Sequence, residues 1–219
     1  QEVRDRLIAI LAIGLRDAKP GSDHQVAYAN GLASAATTDA ADLLKGWLSG
    51  EEVPEGLSID QGMRWRLVTA LARVGRVGED EIAAELQRDN TISGSEQAAG
   101  ARAAMPTAQA KQAAWQRATT DDSVPNETYR QLVMQFIQPD QTEVLSPYVD
   151  PYLELCKAID SHEGQWAKAG HAQVQNALMW LFPSTEVIDA AWLNKLEGWV
   201  SDNDPGSTVR RVLAERADN

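Results

Sequence analysis

Residues 60–118 contain four short helical segments separated by three breaks, and this pattern constrains the fold more than any other feature of the sequence. In the first segment Met63, Leu67 and Leu71 recur at helical spacing, so one face of that helix is apolar. The breaks carry glycine, polar residues or proline, which favour turns, and they lie at residues 75–78, 90–95 and 105–106. Several short helices joined by turns are typical of a scaffold rather than of a single catalytic centre.

The same helical periodicity continues along the rest of the chain. It predicts about eleven or twelve helices, and no segment shows the period-two alternation of a strand. The predicted fold class is therefore all-α. Short loops make successive helices antiparallel neighbours, and helix pairs recur roughly every 35 to 45 residues, a spacing found in helical solenoids. A solenoid and a compact helical bundle are both open at this point.

The composition narrows the class of protein. The 219 residues carry a net charge of -12, which argues against a nucleic-acid surface because such a surface needs clustered Lys and Arg. No apolar run approaches the roughly 20 residues of a membrane-spanning helix. Cys156 is the single cysteine, which fits a reducing compartment and predicts a cytoplasmic location. Because Gln1 is not an initiator methionine, we expect one helical-repeat domain over residues 1–219, excised from the C-terminal part of a longer chain.

The three histidines do not form a metal-binding pattern. A helical zinc motif needs two histidines four residues apart, but the residue four positions after His162 is Trp166. The sequence predicts a long helix over residues 163–181, on which His171 would face away from His162. His24 has no companion nearby in the sequence. We therefore predict no metal ligand, no catalytic residue and no cofactor in this chain.

Other reactive or aromatic side chains are predicted to be structural. Cys156 lies on an apolar helical face, where a small buried residue is expected. Trp47, Trp192 and Trp199 fall on apolar stripes, which favours core packing over ligand stacking. Glu79 belongs to an acid-rich helix start, where negative charge complements the helix dipole.

Two arginines lie where an apolar or small residue is expected. Arg64 falls inside the apolar arc of its helix, between Leu71 and Val68. Arg102 follows Ala98 by one turn in an alanine-rich helix. A cation on an inner face is either paired with a carboxylate of the protein or lines a groove in which it binds one. Pairing is the structural alternative, and substrate binding is the functional one.

Five strings of residues carry a resemblance to a known family: RWRLVTALARVG, EDEIAAELQRDNTISG, GARAAMPTAQAKQAAW, SVPN and QPDQTEVLSPYVDPY. They resemble the C-terminal helical domain of bacterial aminopeptidase N, and most of all its actinobacterial branch. That family consists of zinc metallopeptidases of the gluzincin type. The resemblance covers essentially the whole chain and is clearest over residues 53–156.

The resemblance implies a domain like the C-terminal module of the endoplasmic-reticulum aminopeptidases, a right-handed superhelix of antiparallel HEAT-like helix pairs. In that family the module closes over a thermolysin-like catalytic domain and walls the chamber in which peptides lose their N-terminal residues. The family's His-Glu-x-x-His motif and its Gly-x-Met-Glu-Asn segment match no residues of this sequence. The resemblance therefore implies that zinc and catalysis belong to other domains of the parent chain, and that this fragment is inactive alone.

The resulting interpretation is a non-catalytic domain that covers the active-site chamber and limits peptide access. Its expected partners are the catalytic and N-terminal domains of the same chain and peptide substrates. Arg64 and Arg102 are the predicted substrate-binding residues, because a guanidinium suits a peptide C-terminal carboxylate. Two alternatives stay open: a stand-alone helical scaffold that binds another protein, and a helical bundle that binds a ligand through its tryptophans.

Overall fold

The computed structural model describes residues 2–217, which form thirteen α-helices, three short 3-10 segments and no β-strand. Twelve of the helices span nine residues or more, and the all-α prediction is confirmed. The helices are α1 (Glu2–Asp17), α2 (Asp23–Ala35), α3 (Ala41–Ser49), α4 (Gln61–Arg73), α5 (Glu79–Arg88), α6 (Ile92–Ala104), α7 (Ala108–Thr120), α8 (Asn126–Met134), α9 (Thr142–Leu145), α10 (Val149–Asp160), α11 (His171–Trp180), α12 (Ala190–Asn203) and α13 (Ser207–Ala217). The 3-10 segments are Thr38–Ala40, Ser146–Tyr148 and Gly164–Ala167.

Local hydrogen bonds fix where α4 and α5 begin. Asp60 is the N-cap of α4, and its carboxylate accepts a hydrogen bond from the Met63 backbone N–H at 2.8 Å. At the start of α5, the Glu81 carboxylate accepts from the Gly78 backbone N–H at 3.0 Å. The residue at which a helix begins determines which side chains face a neighbouring helix. The two caps therefore help to place Arg64 of α4 opposite Glu85 of α5.

Contacts between helices divide the chain into two compact units, residues 1–105 and 106–219. In the first unit α1 packs on α2, α3 on α4, and α5 on α6. Helices α2, α4 and α6 also pack in succession, so they form one row with a partner helix beside each member. The first unit is therefore built from three helix pairs. The superhelix and the single domain over residues 1–219 stay predictions.

The core of the first unit combines large and very small side chains. Trp47 of α3 and Trp65, Leu67 and Leu71 of α4 are each at most 2% exposed. Helix α6 contributes alanines to the same core; those without exposed surface include Ala98 and Ala101. Because these residues are small, the backbone of α6 lies close to α4.

The second unit has an aromatic core. The ring of Trp115 on α7 lies 5.1 Å from that of Tyr148 and 5.7 Å from that of Phe136, measured between centroids. A second cluster consists of Tyr152, Phe182 and Trp192. The predicted packing role is confirmed for Trp47 and Trp192, which are buried, whereas Trp199 is only half-buried.

The prediction of one long helix over residues 163–181 is wrong. The chain forms the 3-10 segment Gly164–Ala167 and begins α11 only at His171. The cause is the backbone at the end of α10, where His162 has a φ of 55° and Gly164 a φ of 57°. Two left-handed residues so close together break an α-helix, and periodicity of the side chains does not reveal them.

Candidate functional site

Arg64 forms a buried ion pair between α4 and α5. Its Nε donates to Glu85 Oε1 at 2.8 Å and its Nη2 donates to Glu85 Oε2 at 2.6 Å, so the pair is bidentate. The third guanidinium nitrogen, Nη1, donates to the Leu48 carbonyl at 3.0 Å. The side chains of Arg64 and Glu85 are only 15% and 6% exposed. Hydrogen bonds from Arg64 lower the pKa of Glu85 below its ordinary value, against the opposing effect of burial.

Arg102 forms a second bidentate pair, between α6 and α5. Its Nε lies 3.0 and 2.9 Å from the two carboxylate oxygens of Glu79, and its Nη2 donates to Oε1 at 2.6 Å. The pair is accessible, because the side chains of Arg102 and Glu79 are 35% and 55% exposed. The same carboxylate that opens α5 therefore also holds the guanidinium of Arg102.

The structure gives each of the two predicted arginines a carboxylate of the protein itself. This is the pairing alternative that the sequence left open, and it applies to both residues. Substrate binding by Arg64 and Arg102 stays a prediction. Arg64 is enclosed, and all three of its guanidinium nitrogens already donate hydrogen bonds, so a substrate would have to break them. Arg102 is accessible to solvent.

Sequence reasoning missed both carboxylate partners. From the sequence alone, Glu79 is explained by its effect on the helix dipole, and Glu85 is not singled out. A usable signal exists: Glu85 lies on the same face of α5 as the buried residue Ile82, three positions earlier. A charged residue on the apolar face of one helix predicts an opposite charge on the facing helix.

A hydrogen-bonded network at the turn between α5 and α6 was also missed. The Trp65 indole Nε1 donates to Asp89 Oδ2 at 2.7 Å, and the Thr91 hydroxyl donates to Asp89 Oδ1 at 2.8 Å. Thr91 in turn caps α6 by accepting from the Gly94 backbone N–H at 3.0 Å. A Cβ at Gly94 would lie 2.0 Å from the Asp89 carbonyl oxygen, so glycine is required there. The network fixes the start of the helix that carries Arg102.

Lys111 is a buried cation of the second unit. Its side chain has no exposed surface, its Nζ donates to the Phe136 carbonyl at 2.6 Å, and it lies 5.3 Å from the centroid of the Phe136 ring. Burial lowers the pKa of Lys111 to about 7, because the charged ammonium loses its hydration. The hydrogen bond from Lys111 connects α7 to the residues that follow α8. Because the Lys111 side chain is buried, this indicates a structural role.

The residues present do not fit a zinc site. No group of three or more His, Cys, Asp or Glu that could hold a metal ion occurs within residues 2–217. His162 Nδ1 lies 3.0 Å from the Asp160 carbonyl oxygen, at the end of α10, while His171 begins α11. His24 is an exposed residue of α2.

Cys156 is confirmed as a core residue of α10. It has no exposed surface, and burial raises the pKa of its thiol to about 12. A thiol with such a pKa is almost entirely protonated at neutral pH, so it is a poor nucleophile.

The helices of residues 2–217 are too short or too polar for any one of them to cross a membrane.

Comparison with known proteins identifies the family. The chain is 39% identical over 202 residues to a protein named aminopeptidase N from Streptomyces lividans. The matched region covers 92% of this chain and 23% of that relative, so the chain spans less than a quarter of the relative's length. Residues 5–219 also match the family described as the ERAP1-like C-terminal domain. The resemblance found in the sequence is thereby confirmed, and the chain belongs to the family of ERAP1-like C-terminal domains.

Proposed function

We propose that this chain is the non-catalytic C-terminal domain of a zinc-dependent aminopeptidase, in which it covers the active-site chamber and limits the access of peptides. The observation that carries the proposal is the 39% identity to an aminopeptidase N along 92% of this chain. The matched part is 23% of that relative, which leaves most of its length for other domains. Zinc, its ligands and the general base of the parent enzyme belong to those domains in this proposal, and the parent acts in the cytoplasm.

The proposed contact with substrate is made by Arg102. Its guanidinium is held by Glu79 in a pair that is open to solvent. Exposed ion pairs contribute only about 0–1 kcal/mol, so a second carboxylate can replace the first at little cost. The C-terminal carboxylate of a peptide has two oxygens, as the Glu79 side chain has. It can therefore accept the hydrogen bonds that Arg102 now donates to Glu79. Arg64 is a weaker candidate, because a substrate would have to break a buried pair to reach it.

The experiment uses the full-length parent enzyme and three substrates: a peptide with a free C-terminal carboxylate, the same peptide as its C-terminal amide, and a single-residue aminoacyl anilide. In Arg102→Ala we expect KM for the free-acid peptide to rise about three- to tenfold, the equivalent of an ion pair worth about 1 kcal/mol. KM for the amide and turnover of the anilide should not change. In Glu79→Gln we expect KM for the free-acid peptide to fall, because the competing carboxylate is removed.

The matched control is Arg130→Ala. Arg130 forms a bidentate pair with Glu127 whose side chains are similarly exposed, 43% and 45%. This variant removes the same charge from the second unit and should leave all three substrates unaffected. An equal change for the free acid and the amide, or no change in Arg102→Ala, would contradict the proposal.

A further inference from the structure

A groove in the second unit combines aromatic walls with an acidic rim. It lies between α7 and α10, has a volume of about 470 Å³, and is therefore within the size range of sites for small ligands. Its walls include Trp115 and Trp166, and its rim carries Asp150 and Glu154. We call it the aromatic–acidic groove; it is completed by Thr119, Pro151, Leu155 and Ala158.

The aromatic walls of the groove are held in place by packing. Trp115 is half-buried against Tyr148 and Phe136, with centroid distances of 5.1 and 5.7 Å. Trp166 is 4% exposed and belongs to the 3-10 segment Gly164–Ala167. Gln165 of that segment donates from Nε2 to the Ala118 carbonyl of α7 at 2.6 Å. A guest therefore meets preformed aromatic surface and does not have to order it.

The acidic rim already holds ammonium groups. Asp150 and Glu154 lie one turn apart on α10 and so share a face. Lys195 Nζ lies 2.8 Å from Asp150 Oδ1, and Lys157 Nζ lies 2.8 Å from Glu154 Oε1. The two carboxylates are 73% and 67% exposed, so both pairs are at the surface and exchange readily with another cation.

We propose that the aromatic–acidic groove binds the basic side chain of a peptide, with arginine preferred over lysine. The flat guanidinium stacks on Trp115 while its N–H groups donate to Asp150 and Glu154, in place of Lys195 and Lys157. Arginine is preferred because it stacks on an aromatic face and donates two parallel hydrogen bonds, which an ammonium does not. Leu155 and Trp166 provide apolar surface for the methylene stem of the side chain.

The charge of the protein favours a cationic guest over an anionic one. The chain has a net charge of -12, and the two carboxylates at the groove are paired with Lys195 and Lys157, which do not belong to its lining. The negative charge of the chain as a whole attracts a basic peptide and repels an anion or a nucleic acid. This inference does not depend on the proposed function, because it concerns binding by the 219-residue chain itself.

The test is a calorimetric titration of the 219-residue chain with acetyl-Leu-Arg-Leu-amide, compared with acetyl-Leu-Gln-Leu-amide. Neither peptide has a charged terminus, so Arg102 has no carboxylate to bind and the result is independent of the proposed function. We expect the arginine peptide to bind about tenfold more tightly than the glutamine peptide, because a stacked and ion-paired guanidinium contributes that much affinity. The lysine peptide should lie between them.

Three variants separate the groove from general charge effects. Asp150→Asn with Glu154→Gln should reduce the affinity for the arginine peptide to that for the glutamine peptide. Lys195→Gln should increase the affinity, because it removes the cation that competes for Asp150. The matched control, Glu186→Gln with Glu197→Gln, removes the same two charges from exposed positions that do not line the groove and should leave the tenfold preference intact.

The proposal is overturned if the arginine and glutamine peptides bind equally, or if the Asp150 and Glu154 double variant retains the preference. It is also overturned if Lys195→Gln weakens binding, since that would make the lysine part of the site rather than its competitor. Equal losses in the double variant and in the matched control would assign the preference to net charge and not to the groove.

Discussion

The pairs Arg64–Glu85 and Arg102–Glu79 use the same chemistry in two different environments. Both are bidentate, both have a shortest distance of 2.6 Å, and both join α5 to a neighbouring helix of the first unit. They differ in exposure: the carboxylate is 6% exposed in the first pair and 55% exposed in the second. Burial, and not the residue type or its spacing, therefore decides which arginine is committed to the fold and which can exchange its partner.

Removing one partner of the buried pair should have the largest effect. Glu85→Gln leaves the Arg64 guanidinium enclosed without a counter-charge, and we expect the free energy of unfolding to fall by about 3–5 kcal/mol. The measurement is urea denaturation at neutral pH. The double variant Arg64→Met with Glu85→Leu should be far less destabilised than Glu85→Gln, because no buried charge is left. A loss below about 1 kcal/mol in Glu85→Gln would show that water reaches the site and would remove the distinction between the pairs.

Lys111 is a third charged group that can be compared with the two pairs, and it is buried. Its pKa is about 7 in the folded chain, whereas its ordinary value is 10.5. Between these values the unfolded chain binds more protons than the folded chain, so stability rises with pH; below pH 7 both forms are protonated and the dependence ends. From pH 7.5 to 8.5 we expect a gain of about 1.2 kcal/mol in the free energy of unfolding. Lys111→Met should lack this gain, and the same slope in both proteins would contradict the assignment.

The exposed pair should contribute least to stability. We expect Glu79→Gln and Arg102→Gln each to change the free energy of unfolding by less than about 1 kcal/mol, and the change should shrink in 0.5 M salt. The measurement is the same urea denaturation as for Glu85→Gln, at low and high salt. A loss as large as that of Glu85→Gln would mean that Arg102 is a structural residue, and it would count against its proposed role in binding peptides.

The sequence was sufficient for the fold class and the family, because both depend on patterns that many residues share. Helical periodicity locates α4, and the strings that carry the family resemblance extend over much of the chain. Periodicity also shows which side chains share a face, but not whether that face is covered. Val3 and Ile10 of α1 lie on an apolar stripe and yet are 83% and 60% exposed.

The candidate site was less predictable for a physical reason. The sequence placed Arg64 on an inner face, but its partner lies on another helix, and sequence spacing within one helix says nothing about the facing helix. The aromatic–acidic groove was unpredictable for the same reason, since Trp115 of α7 and Asp150 of α10 come together only in the folded chain. The break after His162 depends on two left-handed backbone conformations, which a count of apolar residues does not detect.

The alanine-rich helix α6 has a consequence for how this sequence can change. Ala98 and Ala101 have no exposed surface and lie in the same core as the large side chains of α4. Each added methylene at these positions has no room, whereas a polar exchange at the surface of α5 costs little. The buried face of α6 is therefore expected to reject larger side chains, even though the same helix presents Arg102 at the surface.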